Sequence, residues 1–121
     1  MSDGCLFCRI VVGEIAAEVV HTGERVLAFR DIAPKAPLHV LVIPREHLAD
    51  LTALTGADPG LAGELLAAVA AVAAAEGVTG SGYRTILNTG PDAGQEVFHV
   101  HAHLLAGAPL GPMLADQVGT G

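Results

Sequence analysis

The chain has little of what several classes of protein require. Its 121 residues include no tryptophan, one tyrosine and three phenylalanines, so a folded core must be built mainly from aliphatic side chains. Lysine and arginine number six against 13 acidic residues, which gives a formal net charge of −7. So few basic residues cannot form the positive surface that neutralises a phosphate backbone, and we expect no nucleic-acid partner. A small anionic substrate stays possible because it needs only local donors.

Long apolar segments and a basic leader are also missing. The longest apolar run covers residues 65–75, whereas a membrane span needs about 20 residues. The first four residues are polar or acidic, which predicts no signal peptide. We therefore expect no membrane partner and a cytoplasmic location. The only cysteines are Cys5 and Cys8. Two thiols at this spacing in a chain that is not secreted favour a metal site or a redox pair over a structural disulfide.

The pattern of apolar and turn residues predicts an α+β fold with a mostly antiparallel sheet. Leu61, Leu65, Val69 and Val72 recur at helical spacing, which predicts one long helix between a cap at Asp58 and a stop at Gly77. The other predicted elements are a short helix at 6–12 and strands at 19–20, 26–29, 38–43, 83–88 and 97–105.

Three histidines alternate with apolar residues near the end of the chain. His99, His101 and His103 have the period of a half-buried strand, which would direct the imidazoles to one face about 7 Å apart. Such a face could simply be solvated. It could also bind a catalytic metal, since imidazole suits zinc and copper. The third possibility is nucleophilic or acid–base catalysis, because histidine titrates near neutral pH.

The segment from His99 to Leu105 resembles the His-φ-His-φ-His-φ-φ motif, with φ hydrophobic, of the histidine triad (HIT) family. Further segments resemble the same family in the same order, over about residues 5–107: they are Phe29–Ile32, Ala36–Pro44, His47, Asn88–Gly90, Gly94–Gln95 and Val97–Phe98. The chain looks like the nucleotide-binding, phosphoramidase-like branch. The resemblance implies a HIT domain at 1–107, with a twisted antiparallel sheet of about five strands, one long helix and one short helix. An irregular tail at 108–121 would follow, and two sheets would join in a homodimer.

The resemblance also implies a mechanism. His101 would attack the α-phosphorus of a purine nucleotide and form a nucleotidyl-imidazole that water hydrolyses. His103 would hydrogen-bond the phosphate and assist the leaving group, and His39 would support the protonation state of the nucleophile. The reaction implied is hydrolysis of purine nucleoside 5′-phosphoramidates. The alternatives are hydrolysis of dinucleoside polyphosphates, the activity of a sister branch, and regulatory nucleotide binding with little turnover.

The remaining positions of the nucleotide site follow from the same resemblance. Asp31 would accept the ribose hydroxyls, and Phe7 and Ile32 would surround the base. Others would hold the phosphate and the scissile region or line the site: Asn88, Gly94, Gln95 and Val97, together with His101 and His103.

The two cysteines form a CxxC sequence. A redox pair would normally follow a strand, but only four residues precede Cys5. The pair could be two reduced, buried thiols. Some bacterial members of the resembled family combine such a pair with two histidines, which here implies a structural zinc held by Cys5, Cys8, His47 and His99. Four protein ligands would close the coordination sphere and leave His101 and His103 available for catalysis.

Two departures from the family pattern concern the leaving group. Glu96 stands where the branch often has a small hydroxyl residue, and its carboxylate would repel an anionic group or favour an amine. Many members have a tryptophan after the triad, and this chain has none.

Overall fold

The computed structural model describes residues 4–114. Five strands form one antiparallel sheet in the order β1-β2-β3-β5-β4, which confirms the predicted α+β class. The elements are α1 (Leu6–Val11), β1 (Val19–Thr22), β2 (Val26–Arg30), β3 (Leu38–Pro44), α2 (Leu51–Ala57), α3 (Pro59–Ala75), β4 (Tyr83–Ile86) and β5 (Ala102–Ala106), with a single 3-10 turn at Pro91–Ala93.

The central strand β3 is buried along its whole length. It pairs with β2 on one side and β5 on the other, and both of its faces are covered. Val40 and Val42 face a core that includes Leu65 and Val69 of α3. Leu41 and Ile43 face the opposite side, where they pack with Phe7 of α1. Burial on both faces explains why this strand reads as an apolar run that only His39 interrupts.

Two helices begin at aspartate caps. Asp58 accepts a hydrogen bond from the amide of Leu61 at 3.1 Å, which confirms the predicted cap of the long helix α3. Asp50 accepts from the amide of Ala53 at 2.9 Å and begins α2. The sequence pattern did not indicate α2 because this seven-residue helix buries only Leu54, which is too little to show a helical period.

The last strand is shorter than predicted. It begins at Ala102 rather than residue 97, so His99 and His101 precede it and only His103 belongs to it. The alternation of faces still holds, because Val100, Ala102 and Leu104 all lie in the core under α3. Likewise, β4 ends at Ile86 rather than residue 88.

The segment after β5 has no helix or strand between residues 107 and 114. Arg84 of β4 donates to the carbonyl oxygens of Gly111 at 2.8 Å and Pro112 at 3.4 Å, which ties this segment to the Arg84 side chain. The rest of the predicted tail, residues 115–121, lies outside the described residues, and the boundary at 107 stays a prediction. Between residues 4 and 114, none of the helices is long and apolar enough to span a membrane.

Candidate active site and metal cluster

A cavity of about 520 Å³ opens on the face of the sheet that carries α1. This volume is in the usual range for small-molecule sites. Its lining includes most of the residues predicted from the sequence: Phe7, Asp31, Ile32, His39, Asn88, Gly94, Val97, His101 and His103. The structure therefore brings residues from both ends of the chain to one concave surface.

Two imidazoles on neighbouring strands form a hydrogen-bonded relay. The backbone amide of Lys35 donates to Nδ1 of His39 at 3.0 Å, and Nε2 of His39 lies 2.9 Å from Nδ1 of His103. Because a backbone N–H can only donate, Nδ1 of the neutral His39 must accept and its proton lies on Nε2. His39 therefore donates to His103, whose own proton is left on Nε2.

A second backbone group fixes the tautomer of His101. Nδ1 of His101 lies 2.8 Å from the carbonyl oxygen of His99, and a carbonyl can only accept. Nδ1 consequently carries the proton and Nε2 keeps its lone pair. The ring of His101 is packed edge-on against Phe7, at a centroid distance of 5.1 Å, and lies 5.0 Å from the ring of His103. In its neutral form this oriented imidazole directs an unprotonated Nε2 into the cavity, which is the arrangement of a nucleophile.

Burial keeps the relay uncharged. It lowers the pKa of His103 to about 4, and the neighbouring His101 and His39 act in the same direction. Burial also lowers the pKa of His39, against the opposing effect of the Asp31 carboxylate. Both rings are therefore neutral at pH 7, as the tautomers above require.

Asp31 and Ile32 follow β2 at the mouth of the cavity. Oδ1 of Asp31 accepts from the amide of Ala33 at 2.8 Å, and Oδ2 lies 3.5 Å from Nε2 of His39. The carboxylate is thus held in place beside the relay. Ile32 is 96% exposed and contributes to the rim rather than to a buried wall.

Gln95 is the one predicted nucleotide-binding residue that does not line the cavity. Its Oε1 accepts from the amide of Gly90 at 2.9 Å. Its Nε2 donates to the carbonyl oxygens of Ala49 at 2.8 Å and Val97 at 3.1 Å. With both ends of the amide engaged, Gln95 fixes the loop between β4 and β5. Gly94 in the same loop has φ +89°, a conformation that favours glycine.

The two cysteines and two histidines predicted to bind zinc lie together. Their ligand atoms are all within 4.8 Å of one another. Sγ of Cys8 is 3.2 Å from Nδ1 of His47 and 3.4 Å from Nδ1 of His99, while Sγ of Cys5 is 3.5 Å from the latter. Ligand atoms around a tetrahedral zinc are about 3.3 to 3.8 Å apart, given the usual zinc–sulfur and zinc–nitrogen bond lengths. These four residues therefore fit such an ion closely.

The orientation of His99 supports the same conclusion. Its Nε2 lies 2.8 Å from the carbonyl oxygen of Pro44, which can only accept, so Nε2 carries the proton. Nδ1 is then left with a lone pair directed at the two thiols. A ligating histidine whose other nitrogen donates to a carbonyl is the usual arrangement in metal sites.

Sequence reasoning missed two residues that fix the site. The backbone amide of Lys35 sets the tautomer of His39, and the carbonyl of Pro44 sets that of His99. No side-chain pattern could identify them, because the groups that act belong to the backbone.

Comparisons with known proteins give the family. The HIT domain profile matches residues 12–110. The purine nucleoside phosphoramidase of Escherichia coli strain K12 is 41% identical over 117 residues, which cover 97% of this chain and 98% of that protein. A HIT-like protein of Synechococcus elongatus is 49% identical over 110 residues, covering 91% and 96% of the two chains.

Solved structures agree with the sequence matches. A HIT family hydrolase from Clostridium thermocellum superposes with a TM-score of 0.89 at 40% identity, covering 93% of this chain and 98% of its own. A HIT family hydrolase from Legionella pneumophila has a TM-score of 0.85 at 44% identity, covering 88% and 96%. The chain therefore belongs to the HIT domain family and is a relative of its hydrolases.

Proposed function

We propose that this chain hydrolyses purine nucleoside 5′-phosphoramidates, releasing the nucleoside monophosphate and an amine. The proposal is carried by one observation: two backbone groups, the amide of Lys35 and the carbonyl of His99, set the tautomers of the imidazoles. They give His101 a lone pair on Nε2 and give His103 a proton on Nε2, with the two rings 5.0 Å apart. A nucleophile and a hydrogen-bond donor side by side are what a displacement at phosphorus requires. The name of the E. coli relative supports the substrate class.

The reaction runs in two displacements. Nε2 of His101 attacks the α-phosphorus and forms a phosphorus–nitrogen bond, while the bond to the substrate nitrogen breaks. The departing nitrogen takes a proton from Nε2 of His103 and leaves as a neutral amine. Water then attacks phosphorus, breaks the bond to His101 and returns a proton to Nε2 of His103. One difficult hydrolysis is thereby divided into two easier steps.

Each part of the nucleotide would have its own place in the cavity. The apolar end formed by Phe7, Ile10 and Ala17 would receive the purine, and the Asp31 carboxylate would accept the ribose hydroxyls. Asn88 and Gly94 lie on the side of the loop before β5 and would hold the phosphate. Gln95 acts as a positioning residue, since its amide holds this loop to the carbonyl of Ala49.

The cluster of Cys5, Cys8, His47 and His99 would hold a structural zinc ion. Zinc bound there would supply a four-coordinate cross-link between α1, the segment after β3 that carries His47 and the segment before β5, with no open position for water. That cross-link would act on the nucleophile indirectly. His99 also provides the carbonyl that orients His101. Phe7, which lies between the two cysteines in the chain, packs on the ring of His101.

A homodimer joined through β4 fits the sheet. β4 is an edge strand, and its Tyr83 and Thr85 are exposed. The opposite edge strand, β1, has a register shift between Val19 and His21. Such an irregularity makes an edge strand a poor partner for a further strand. A second copy pairing at β4 would extend the sheet and cover the unpaired backbone groups there. Size-exclusion chromatography with light scattering tests this, and Thr85→Pro should shift the protein toward the monomer.

The proposal is tested by release of AMP from adenosine 5′-phosphoramidate by the wild type and by His101→Ala, with diadenosine tetraphosphate in parallel. We expect turnover of the phosphoramidate and a loss of at least about 10⁴-fold in the variant. His21→Ala, a histidine on β1 outside the cavity, is the matched control. Activity on the dinucleotide alone would favour the polyphosphate hydrolase. Binding of AMP without turnover of either compound would favour a regulatory nucleotide-binding protein.

A further inference from the structure

A second cavity of about 390 Å³ adjoins the first. Leu6, Glu96 and Val97 line both cavities, so the two meet at these residues. Phe98, which is 49% exposed, lines only the second. Leu6, Val97 and Phe98 form an apolar wall, and the rest of the lining is Glu96, Gly4 and two of the predicted zinc ligands, Cys5 and His47.

Glu96 lies at the boundary between the two cavities. Its side chain is exposed, and within residues 4–114 it takes part in no hydrogen bond or ion pair. The charged residues that line the first cavity are otherwise Arg30, Asp31 and Lys35, which all belong to β2 or the segment after it. Arg30 is paired with Glu18 and Glu76. Among these charged residues, Glu96 is therefore the one that the loop before β5 contributes to the first cavity.

The geometry of the displacement assigns this side to the leaving group. The nucleoside occupies the apolar end formed by α1 and β2, and the phosphorus must lie against Nε2 of His101. The group that departs must lie opposite the nucleophile, away from the nucleoside. Next to Asn88 and Gly94, which would hold the phosphate, the lining continues to Glu96 and Val97, where the second cavity begins.

We propose that Glu96 and Phe98 form a leaving-group subsite that selects amines with an apolar chain and a second, distal ammonium group. The chain would lie along Leu6, Val97 and the Phe98 ring, and the distal ammonium would pair with the Glu96 carboxylate. A cation at such a place is attracted both by the face of the aromatic ring and by the charge of the carboxylate. A leaving group that carries negative charge, such as a polyphosphate, is repelled by the same carboxylate.

This inference rests on the proposed reaction, and its test separates the two. Three adenosine 5′-phosphoramidates of similar length are compared, with N-butyl, N-(4-aminobutyl) and N-(3-carboxypropyl) substituents. For the wild type we expect kcat/KM to be about threefold higher for the cationic than for the neutral compound, and about tenfold higher than for the anionic one, as for a partly exposed ion pair. Glu96→Gln should bring the three values together. Glu24→Gln removes one negative charge from an exposed turn outside both cavities and should keep the wild-type order.

Binding of the same three compounds is measured with His101→Ala, which retains the subsite and lacks the nucleophile. The subsite is supported if the Kd values follow the same rank order in His101→Ala and lose that order in His101→Ala/Glu96→Gln. This holds even if the wild type turns over none of the compounds, and in that case only the proposed reaction fails. Turnover of all three with equal kcat/KM and equal Kd overturns the subsite and leaves the reaction intact. Absence of turnover together with equal Kd values overturns both. Phe98→Ser should lower the affinity for the butyl compound but not for AMP, and an equal loss for both would contradict the role given to the ring.

Discussion

Nε2 of His39 and Nδ1 of His103 lie 2.9 Å apart, although 64 residues separate them in the chain. The register of β3 and β5 produces this contact. His39 pairs with Leu105 and Leu41 pairs with His103, so the two histidines are diagonal neighbours on one face of the sheet. A slip of one residue would send one ring to the core under α3. The relay that sets the protonation of His103 is therefore a consequence of strand register.

The relay predicts how His103 contributes to turnover. If its Nε2–H assists the departing nitrogen, His103→Ala should lower kcat by about 100-fold for phosphoramidates of strongly basic amines. The loss should be much smaller for leaving groups that need no proton. A series of N-substituted phosphoramidates assayed with the wild type and the variant measures this, with His21→Ala as the control. An equal loss across the series would contradict the assignment.

Stability should depend on pH through the same residue. The pKa of His103 is about 4 in the folded chain against an ordinary 6.5, so the unfolded chain binds more protons between these values. The free energy of unfolding should therefore fall as the pH drops from 6.5 to 4. The contribution of His103 to this slope is at most about 1.4 kcal/mol per pH unit.

Denaturant unfolding at several pH values, for the wild type and His103→Asn, measures the difference in slope. We expect a flatter profile for the variant, whatever its absolute stability. His21→Asn controls for the loss of a histidine. Parallel profiles for the wild type and His103→Asn would show that the folded chain does not hold this ring neutral.

The metal cluster predicts a link between zinc content and stability. Cys5→Ser should lose the metal and lower Tm by about 10 °C or more, because a bound structural ion contributes directly to folding. Elemental analysis and thermal unfolding of the two proteins test this, and His21→Ala should retain the wild-type metal content. Purified wild-type protein without zinc would contradict the site.

Chelation distinguishes a structural from a catalytic ion. At a temperature where the chelated protein stays folded, a closed site predicts that turnover of the phosphoramidate continues at a reduced rate. Complete loss of turnover while the circular dichroism spectrum is retained would indicate an ion that takes part in the chemistry.

Gly107 is predicted to be intolerant of a side chain. Its φ is +98°, and a Cβ added there would lie 2.8 Å from Cβ of Pro37. Gly13 has a similar φ of +82° but open space around it. Gly13→Ala should cost about 1 kcal/mol in free energy of unfolding, and Gly107→Ala about 1 to 3 kcal/mol more because of the overlap. Equal costs in denaturant unfolding would show that the contact with Pro37 relaxes freely.

Much of the fold was predictable from local patterns. The apolar run of β3, the aspartate cap of α3 and the alternation around the triad each reflect burial or hydrogen bonding that depends on residues close in the chain. The start of β5 was not predictable in this way. Alternation reports which side of the backbone is buried, but a strand also needs a paired neighbour, and the pairing with β3 begins at Ala102.

The sequence by itself determined the chemistry that is available: three alternating histidines, a pair of thiols three residues apart, an aspartate shortly after one predicted strand and a histidine on the next. Only the tertiary structure decided which nitrogen of each imidazole carries a proton, because those protons are set by the backbone groups of Lys35, Pro44 and His99. It also decided that Gln95 fixes a loop instead of lining the cavity. Side-chain patterns encode burial along the chain, whereas the backbone group that meets each imidazole depends on how the loops turn and the strands pair. This holds even where the partner is only four residues away, as for Lys35 and His39, or two, as for His99 and His101.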